Sequence, residues 1–338
     1  MTAMKTQNAV HPTVAPPAPV GLHLTNTAAE LSDLLTIDEL DAAGLESLIS
    51  LAGSVKSNQT PFAGALKGLS VTMLFEKPSL RTRMSFEIGL TKLGAHVVYF
   101  DHSAQRIGQR ESVKDYAKNL ERWTDAIIAR VFDHGVLDEM AEHAAVPVVN
   151  ALSDLEHPCQ ALADLLTLKE KFGSFDGLKL AWIGDGNNVC HSLMLACAKL
   201  GISFTAITPK GYEPQFSVVR AALAEAENTG AVVTLTNTLE KIQGHHAVYT
   251  DTWVSMGQEH QKDTHGQPFS GFGVDEEMMA LAGSGLGEPS VFMHCLPAHR
   301  GEEVTDEIID SPQSVVYDQA ENRMHAQNAL FLRLFGKA

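Results

Sequence analysis

A polar segment at residues 75–83 could bind a phosphate group. It follows an apolar strand candidate and precedes an amphipathic helix candidate, which Ser79 can cap. The free N–H groups and the dipole of the first helical turn favour an anion there. Thr82 adds a hydroxyl group, and Arg81 and Arg83 add forked donors. Alone, the segment is more typical of a capped helix with two solvated arginines, so the prediction of an anion site depends on other residues.

Arg130, His157 and Gln160 are the next candidates in the first half of the chain. Arg130 lies near the C-terminal end of a strand candidate, where open parallel sheets bind their ligands. A buried arginine there would need an anionic partner, and a bound phosphate is one. His157 and Gln160 lie at the start of a helix candidate whose first position suits Pro158. A lone histidine at a helix start is more often a capping or surface residue, so its role depends on the other motifs.

Two segments of the second half also follow strand candidates. Asp251 begins a polar, glycine-rich stretch that extends to Gly273, and its length and composition indicate a lid. Cys295 lies between a strand candidate and Pro297. In isolation, Asp251 is equally typical of a strand-end turn and Cys295 of a small core residue, so neither assignment stands on one segment alone.

Alternating strand and helix candidates must position these residues. The repeated order of strand, helix and strand predicts parallel crossover units in both halves, and therefore an α/β fold of two doubly wound domains, each a mostly parallel sheet flanked by helices. The helix after Ser79 is expected to bury Met84, Ile88 and Leu93, and a last helix is expected at residues 320–335. The strand candidates are residues 69–74, 95–100, 126–131, 146–150, 180–183, 203–208, 232–235, 247–251 and 291–293.

The turn that begins at Gly184 suggests an alternative function, a nucleotide-binding protein or dehydrogenase with a Rossmann-like site. The turn has the order strand, Gly-Asp-Gly, helix, which resembles the start of a dinucleotide fingerprint. However, Val189 stands where the third glycine belongs, and residues 207–210 offer no acidic side chain for a ribose. The sequence therefore disfavours this alternative.

The amino-acid composition argues against several other classes of protein. The chain has 338 residues, 44% of them apolar, which predicts two globular domains. Its 25 basic and 41 acidic residues give a net charge of −16, which argues against a general nucleic-acid surface. No apolar run is long enough for a membrane span. Four scattered cysteines indicate neither a disulfide framework nor a zinc site and suit a cytoplasmic protein. Residues 1–24, with four prolines, predict a disordered tail without a targeting signal.

Four motifs, taken together, resemble the aspartate/ornithine carbamoyltransferase family. They are Ser-Leu-Arg-Thr-Arg at residues 79–83, His-Pro-Cys-Gln at 157–160, Asp-Thr-Trp-Val-Ser-Met-Gly at 251–257 and His-Cys-Leu-Pro at 294–297. Each motif is weak alone, but their order and intervals are specific, and the resemblance covers residues 22–335. It implies transfer of a carbamoyl group from carbamoyl phosphate to the amine of ornithine, without a metal or another cofactor.

The resemblance also implies which part of the chain binds which substrate. Residues 25–157 and the C-terminal helix at 320–338 would form the carbamoyl-phosphate domain, residues 158–319 would form the ornithine domain, and the active site would lie in the cleft between them. The implied carbamoyl-phosphate ligands are Ser79, Leu80, Arg81, Thr82, Arg106, Arg130, His157, Gln160, Cys295, Leu296 and Arg323. The implied ornithine ligands are Asn188, Asp251, Ser255 and Met256. The implied catalytic residues are Arg130, His157, Cys295 and Asp251.

Finally, the resemblance implies a homotrimer in which the loop at residues 101–112 reaches the neighbouring active site. Arg106 of that loop stands where the family has a glutamine or a histidine, and Leu80 stands where many members have a threonine. Acetylornithine, putrescine and aspartate remain alternative acceptors. Arginine biosynthesis is the expected pathway, although the same residues could serve citrulline breakdown. The proton acceptor for the amine remains open among Cys295, Asp251 and the departing phosphate.

Overall fold

A computed structural model describes residues 31–253 and 268–337 of the chain. These residues contain two sheets in which every strand pair is parallel. The first sheet has the order β2-β1-β3-β4, with β1 at Ser70–Phe75, β2 at His96–Asp101, β3 at Ala126–Arg130 and β4 at Val148–Leu152. The second has the order β7-β6-β5-β8-β9, with β5 at Lys179–Ile183, β6 at Ser203–Ile207, β7 at Val233–Thr236, β8 at Ala247–Thr250 and β9 at Val291–His294. The predicted fold class is confirmed.

Helices cover the faces of both sheets. In chain order they are α1 at Ala42–Ser57, α2 at Leu80–Lys92, α3 at Val113–Leu120, α4 at Gly135–His143, α5 at Pro158–Phe172, α6 at Asn188–Lys199, α7 at Phe216–Thr229, α8 at Glu276–Ala282, α9 at Asp306–Ile309 and α10 at Val316–Leu334. Short 3-10 helices lie at Ile37–Glu39, Thr60–Phe62 and Leu239–Ile242. The predicted tail at residues 1–24 lies outside the described residues.

The strand order reverses once in each sheet, and parallel sheets bind ligands outside the carboxyl ends of the strands at such a point. In the first sheet, β1 and β3 are neighbours with Phe75 opposite Arg130. In the second, β5 and β8 are neighbours with Ile183 opposite Thr250. The candidate residues therefore follow strands that lie side by side, although they are far apart in the sequence.

The C-terminal helix α10 packs against α1, α2 and α5 of the first half. Apolar side chains such as Ala329, Leu330 and Phe331 are fully buried in this contact, and the Phe331 ring meets the Phe86 ring edge-on at 6.1 Å. The packing also orients the first half of α10, so that Arg323 becomes a buried residue near α2 and α5. The exact domain boundaries stay a prediction.

The predicted buried face of α2 is partly wrong. Leu93 is buried, but Met84 and Ile88 are 45% and 41% exposed. The buried side chains of the helix include Phe86 and Leu90, which belong to a different stripe. The helix carries apolar residues on two faces, and spacing alone does not say which face meets α10.

The glycine turn after β5 has a structural explanation. Gly184 has φ of 120°, a conformation that favours glycine. Gly186 donates its N–H to the Tyr212 carbonyl at 2.8 Å, and a Cβ on Gly186 would lie 2.3 Å from the Pro214 nitrogen. The chain itself thus occupies the space beside the second glycine, which argues against a dinucleotide phosphate at this turn.

No helix among the described residues is both long enough and apolar enough to cross a membrane. The four cysteines are free thiols, and Cys159, Cys190 and Cys197 are buried among apolar side chains.

We expect Gly186→Ala to destabilise the protein by about 1–3 kcal/mol, because the new methyl group overlaps backbone atoms that cannot move independently. Gly287→Ala is the control, since a Cβ there has no heavy atom within 4 Å. Urea unfolding midpoints measure the effect. Equal midpoints for the two variants would show that the turn tolerates a side chain.

Candidate active site between the two sheets

A cavity of about 240 Å³ lies at the carboxyl ends of the strands and is lined by residues of both halves. The structure brings together in it these sequence-predicted site residues: Ser79, Arg81, Thr82, Arg130, His157, Asn188, Asp251, Cys295, Leu296 and Arg323. The first half and α10 contribute mainly cations and hydroxyl groups, and the second half contributes two carboxylates, an imidazole, an amide and a thiol. The cavity is therefore the candidate active site.

The start of α2 has the capped helix end on which the predicted anion cradle depends. Ser79 caps the helix, because its Oγ accepts a hydrogen bond from the Thr82 N–H at 3.3 Å. The same Oγ donates to Thr82 Oγ1 at 3.0 Å, and Arg323 Nη2 donates to that atom at 2.8 Å. Since Thr82 Oγ1 already accepts two hydrogen bonds, its own hydrogen is directed to a further acceptor. Arg81 follows the cap and also lines the cavity.

Four cations surround the cradle: Lys77, Arg81, Arg130 and Arg323. Arg130 and Arg323 are each only 3% exposed, and within the described residues the Nε atom of each has no hydrogen-bond partner. Burial, and then the charge of Arg323, lower the pKa of Arg130, although a guanidinium stays protonated in proteins. Buried cations that repel one another and retain free donors favour an anionic ligand.

His157 is held as a neutral imidazole. Burial, followed by the charges of Arg323 and Arg130, lowers its pKa well below the ordinary value. Its backbone N–H donates to Ser192 Oγ at 2.8 Å, which fixes the residue at the start of α5. A neutral histidine beside two arginines can donate a hydrogen bond without adding another positive charge.

Asp251 follows β8 of the second sheet and also lines the cavity. Its carboxylate accepts hydrogen bonds from Cys295 Sγ at 3.0 Å, the Thr252 N–H at 2.8 Å and Asn187 Nδ2 at 2.8 Å. Burial and the adjacent Asp251 charge raise the pKa of the Cys295 thiol well above its ordinary value. Cys295 therefore remains protonated at neutral pH and acts as a hydrogen-bond donor. Asn188 of the second half also lines the cavity.

The loop that carries Cys295 is organised by a buried histidine. His294 Nδ1 accepts the Leu296 N–H at 2.8 Å, and its Nε2 lies 3.3 Å from Glu303 Oε1. Glu303 also accepts the His299 N–H. These partners require the proton of neutral His294 to be on Nε2. They hold Leu296 at φ of 60°, a conformation that a branched side chain rarely adopts.

Three predicted residues lie outside the cavity lining. Gln160 is 1% exposed and lies behind it, where its Oε1 accepts from Arg323 Nη1 at 2.8 Å. Leu80 is 74% exposed on the outer face of α2. Arg106 is exposed, and its guanidinium lies 4.1 Å from the centre of the Phe132 ring of the same chain. The site roles assigned to these three residues stay predictions.

Ser255 and Met256 lie outside the described residues, as does most of the predicted lid. Conversely, the cavity includes residues that the sequence prediction missed: Lys77, Leu152, Val189, Thr252, Pro297, His299 and Glu302. Lys77 is the main omission. A signal was available, because this lysine lies two residues before the Ser79 cap within the same polar segment.

Two groups of side chains within the described chain have ligand atoms close enough for one metal ion, within 4.8 Å of one another: Asp251, His294 and Cys295, and His299, Glu302 and Glu303. In the first group, the Cys295 thiol already donates to Asp251, so these two side chains satisfy each other without an ion. The predicted absence of a metal or another cofactor stays a prediction.

The fold and the cavity together define a two-domain α/β protein whose cavity is lined by cations of the first half and α10 and by carboxylates of the second half. Comparisons with known proteins identify the family. Residues 32–170 match the aspartate/ornithine carbamoyltransferase carbamoyl-P binding domain, and residues 176–334 match the Asp/Orn binding domain of the same family. The chain belongs to the aspartate/ornithine carbamoyltransferase family.

Individual relatives agree with this assignment. The chain is 49% identical to an ornithine carbamoyltransferase of Shewanella oneidensis over 90% of this chain and 100% of that protein. It is 45% identical to a catabolic ornithine carbamoyltransferase of Halobacterium salinarum, over 89% and 98% respectively. Its structure is similar to ornithine carbamoyltransferase from Pyrococcus furiosus, with a TM-score of 0.86, 43% identity and coverage of 91% and 98%.

The Lys77 charge should make anion binding depend on pH. Burial, then the Arg130 charge, lower the Lys77 pKa to about 8, so its ammonium form is lost as the pH rises through that value. We expect the calorimetric Kd for sulfate, whose own charge is constant, to be about tenfold weaker at pH 9.5 than at pH 7. Lys77→Met should bind sulfate weakly at both values, and exposed Lys67→Met should behave like the parent protein. A parent Kd that is independent of pH would contradict this role.

Proposed function

We propose that this protein transfers the carbamoyl group of carbamoyl phosphate to the side-chain amine of L-ornithine, giving L-citrulline and phosphate. Its family and the names of its relatives support this reaction. The observation that carries the proposal is the distribution of charge in the cavity lining. Four cations line the cavity with the α2 cradle, whereas Asp251 follows β8 of the second sheet. This arrangement suits a dianionic donor beside a cationic amino-acid acceptor.

In the donor half, the cradle would hold the phosphate through Ser79, Thr82, Arg81 and the helix N-terminus. Lys77 adds a fourth type of contact, a compact ammonium charge. A fixed phosphate places the carbamoyl carbon near the acceptor and makes the transfer effectively unimolecular.

The carbamoyl oxygen gains negative charge as the amine attacks. Arg130, neutral His157 and the Thr82 hydroxyl are the donors that can stabilise it. Such donors act strongly in a buried site, and removal of one typically costs a hundredfold to a thousandfold in rate, roughly 3–4 kcal/mol. The same cations can stabilise the phosphate as it leaves, so the proposed mechanism requires no metal.

In the acceptor half, Asp251 and Asn188 would bind the amino-acid end of ornithine, together with Ser255 and Met256. The side-chain amine must lose a proton before it attacks, because an unperturbed alkyl ammonium group has a pKa near 10. Cys295 is unsuitable as the base, since its own pKa is raised and its proton is donated to Asp251. Asp251 and the departing phosphate are the remaining acceptors.

We also propose a homotrimer, which the surface of the first half supports. Among the described strands, β2 pairs on one side only and leaves a free edge. Large apolar side chains are exposed near it: Leu80, Met84 and Ile88 form one stripe of α2, and Val98 and Phe100 lie on one face of β2. Exposed apolar side chains grouped in this way are typical of a protein–protein interface.

The loop at residues 101–112 would complete a neighbouring site in this trimer. Its conformation is fixed by Glu76, which accepts the Ile107 N–H at 2.7 Å and the Phe132 N–H at 2.9 Å. Arg106 therefore lies at the surface on a fixed loop, where its guanidinium could contact the active site of a second chain. A cytoplasmic location, which the free cysteines support, and a role in arginine biosynthesis complete the proposal. A catabolic relative leaves citrulline breakdown as the alternative pathway.

The acceptor is tested by a panel assay with carbamoyl phosphate and ornithine, acetylornithine, putrescine or aspartate. We expect ornithine to give the highest kcat/KM and citrulline as the product, because Asp251 lies where it can hold a free ammonium group. A higher kcat/KM with any other acceptor would contradict the proposed substrate. Tight binding of NAD in calorimetry would instead support the nucleotide-binding alternative.

Arg130→Met should lower kcat/KM roughly a hundredfold to a thousandfold while the protein stays folded, because it removes a donor near the carbamoyl oxygen and relieves a buried charge. Arg122→Met is the control, since that side chain is 75% exposed. Steady-state kinetics and thermal unfolding measure the two effects. Near-normal turnover of the Arg130 variant would refute its role.

Mixing two inactive variants tests the shared site. Arg106→Ala and Arg130→Met should each have low activity as pure proteins. If the loop acts on a neighbouring chain, mixed trimers would regain intact sites, about a quarter of the total after random assembly. Absence of any regained activity in verified mixed trimers would place Arg106 in its own chain's site or outside the reaction.

A further inference from the structure

We propose that Asp164 is a positioning residue that holds the donor half and the acceptor half of the active site in register. It does so by fixing the orientation of two buried glutamine side chains, Gln160 and Gln319. This inference rests on the proposed carbamoyl transfer and adds to it a residue that does not line the cavity.

Asp164 lies within α5 and is fully buried. Its Oδ1 atom accepts two hydrogen bonds at 2.8 Å, one from Gln160 Nε2 and one from Gln319 Nε2. Gln160 belongs to the same helix, whereas Gln319 belongs to α10. Both amides are themselves about 1% exposed, so water does not compete for these contacts.

An ionised carboxylate can only accept hydrogen bonds, so it selects the nitrogen of each amide and turns the oxygen away. The two oxygens then face the two halves of the site. Gln160 Oε1 accepts from Arg323 Nη1 at 2.8 Å, and Gln319 Oε1 accepts from the His294 N–H at 3.0 Å. With either amide reversed, two donors would face each other at one end.

Each glutamine is hydrogen-bonded to a residue that lines the cavity or immediately precedes its lining. On the donor side, Arg323 uses its second nitrogen to donate to Thr82 Oγ1 at 2.8 Å, within the anion cradle. On the acceptor side, His294 immediately precedes Cys295 and binds the Leu296 N–H. A continuous series of buried hydrogen bonds therefore connects the phosphate cradle to the loop at the reacting amine, with Asp164 at its centre.

Burial makes the Asp164 carboxylate unfavourable for the stability of the fold. Burial is the main cause that raises the Asp164 pKa from 3.8 to about 6, although the hydrogen bonds of Gln319, Gln160 and Tyr249 and the charge of Arg323 lower it. A carboxyl group whose pKa is higher in the folded than in the unfolded state makes its ionised form a cost to stability at neutral pH. A role in orienting the two amides explains why such a group lies there.

Asp164→Leu tests the inference, because leucine has nearly the same side-chain shape and accepts no hydrogen bond. We expect kcat to fall roughly tenfold to a hundredfold, because the Gln160 and Gln319 amides lose the acceptor that orients them. Thermal unfolding shows whether the variant stays folded. Exposed Asp176→Leu, just after the same helix, should keep the parent activity.

Asp164→Asn provides the rescue. Both glutamine amides donate to the same atom, Asp164 Oδ1, so the amide oxygen of asparagine in that place can still accept both of them. We expect this variant to keep most of the parent kcat, because it retains the acceptor and lacks only the charge.

A kcat of Asp164→Leu within twofold of the parent would overturn the positioning role. So would an equal loss of kcat in Asp164→Asn, or a loss in Asp164→Leu that only follows loss of folding. Failure of the parent protein to form citrulline would instead refute the proposed function, on which this inference rests.

Discussion

The hydrogen bonds of Arg323 are the interaction on which the site depends. Its guanidinium joins the last helix to Thr82 at 2.8 Å and to Gln160 at 2.8 Å, and thereby connects the anion cradle of α2 to the start of α5. Those residues are far apart in the sequence, and they meet because α10 buries its apolar side chains against α1, α2 and α5. Hydrophobic packing thus supplies the free energy that holds a costly buried cation in place.

A second constraint follows from the charges. The chain carries a net charge of −16, yet its cavity is lined by Lys77, Arg81, Arg130 and Arg323. Such a group of cations destabilises the empty site and favours a dianion, whereas Asp251 of the second half favours a cation. Neutral His157 and the protonated thiol of Cys295 are donors in the same cavity that add no charge. The burial of each group decides its protonation state, and the protonation states together define the chemistry.

The sequence predicted the fold class and most of the cavity lining, because strand ends, helix caps and motif order are local signals. It placed Met84 and Ile88 in the core incorrectly, since a helix with two apolar stripes does not reveal which one meets the C-terminal helix. It missed Lys77, whose relevance appears only when burial shows that it faces Arg130. The role of Asp164 could not be predicted from the sequence for a similar reason, because it depends on a hydrogen bond with Gln319, which is 155 residues away. Local sequence patterns identify candidate site residues, whereas their hydrogen-bond and packing partners depend on contacts between distant parts of the chain.

The central claim is that one end of the cavity binds the dianionic donor and the other end binds the amino-acid acceptor. A crystal structure with a bisubstrate analogue, in which a phosphonate is joined through an amide carbonyl to ornithine, tests it most directly. The account predicts the phosphonate oxygens within hydrogen-bond distance of Ser79 and Arg81, the carbonyl oxygen facing Arg130 and His157, and the α-amino group at Asp251. A phosphonate at the Asp251 end, or an analogue bound outside the cavity, would contradict the account.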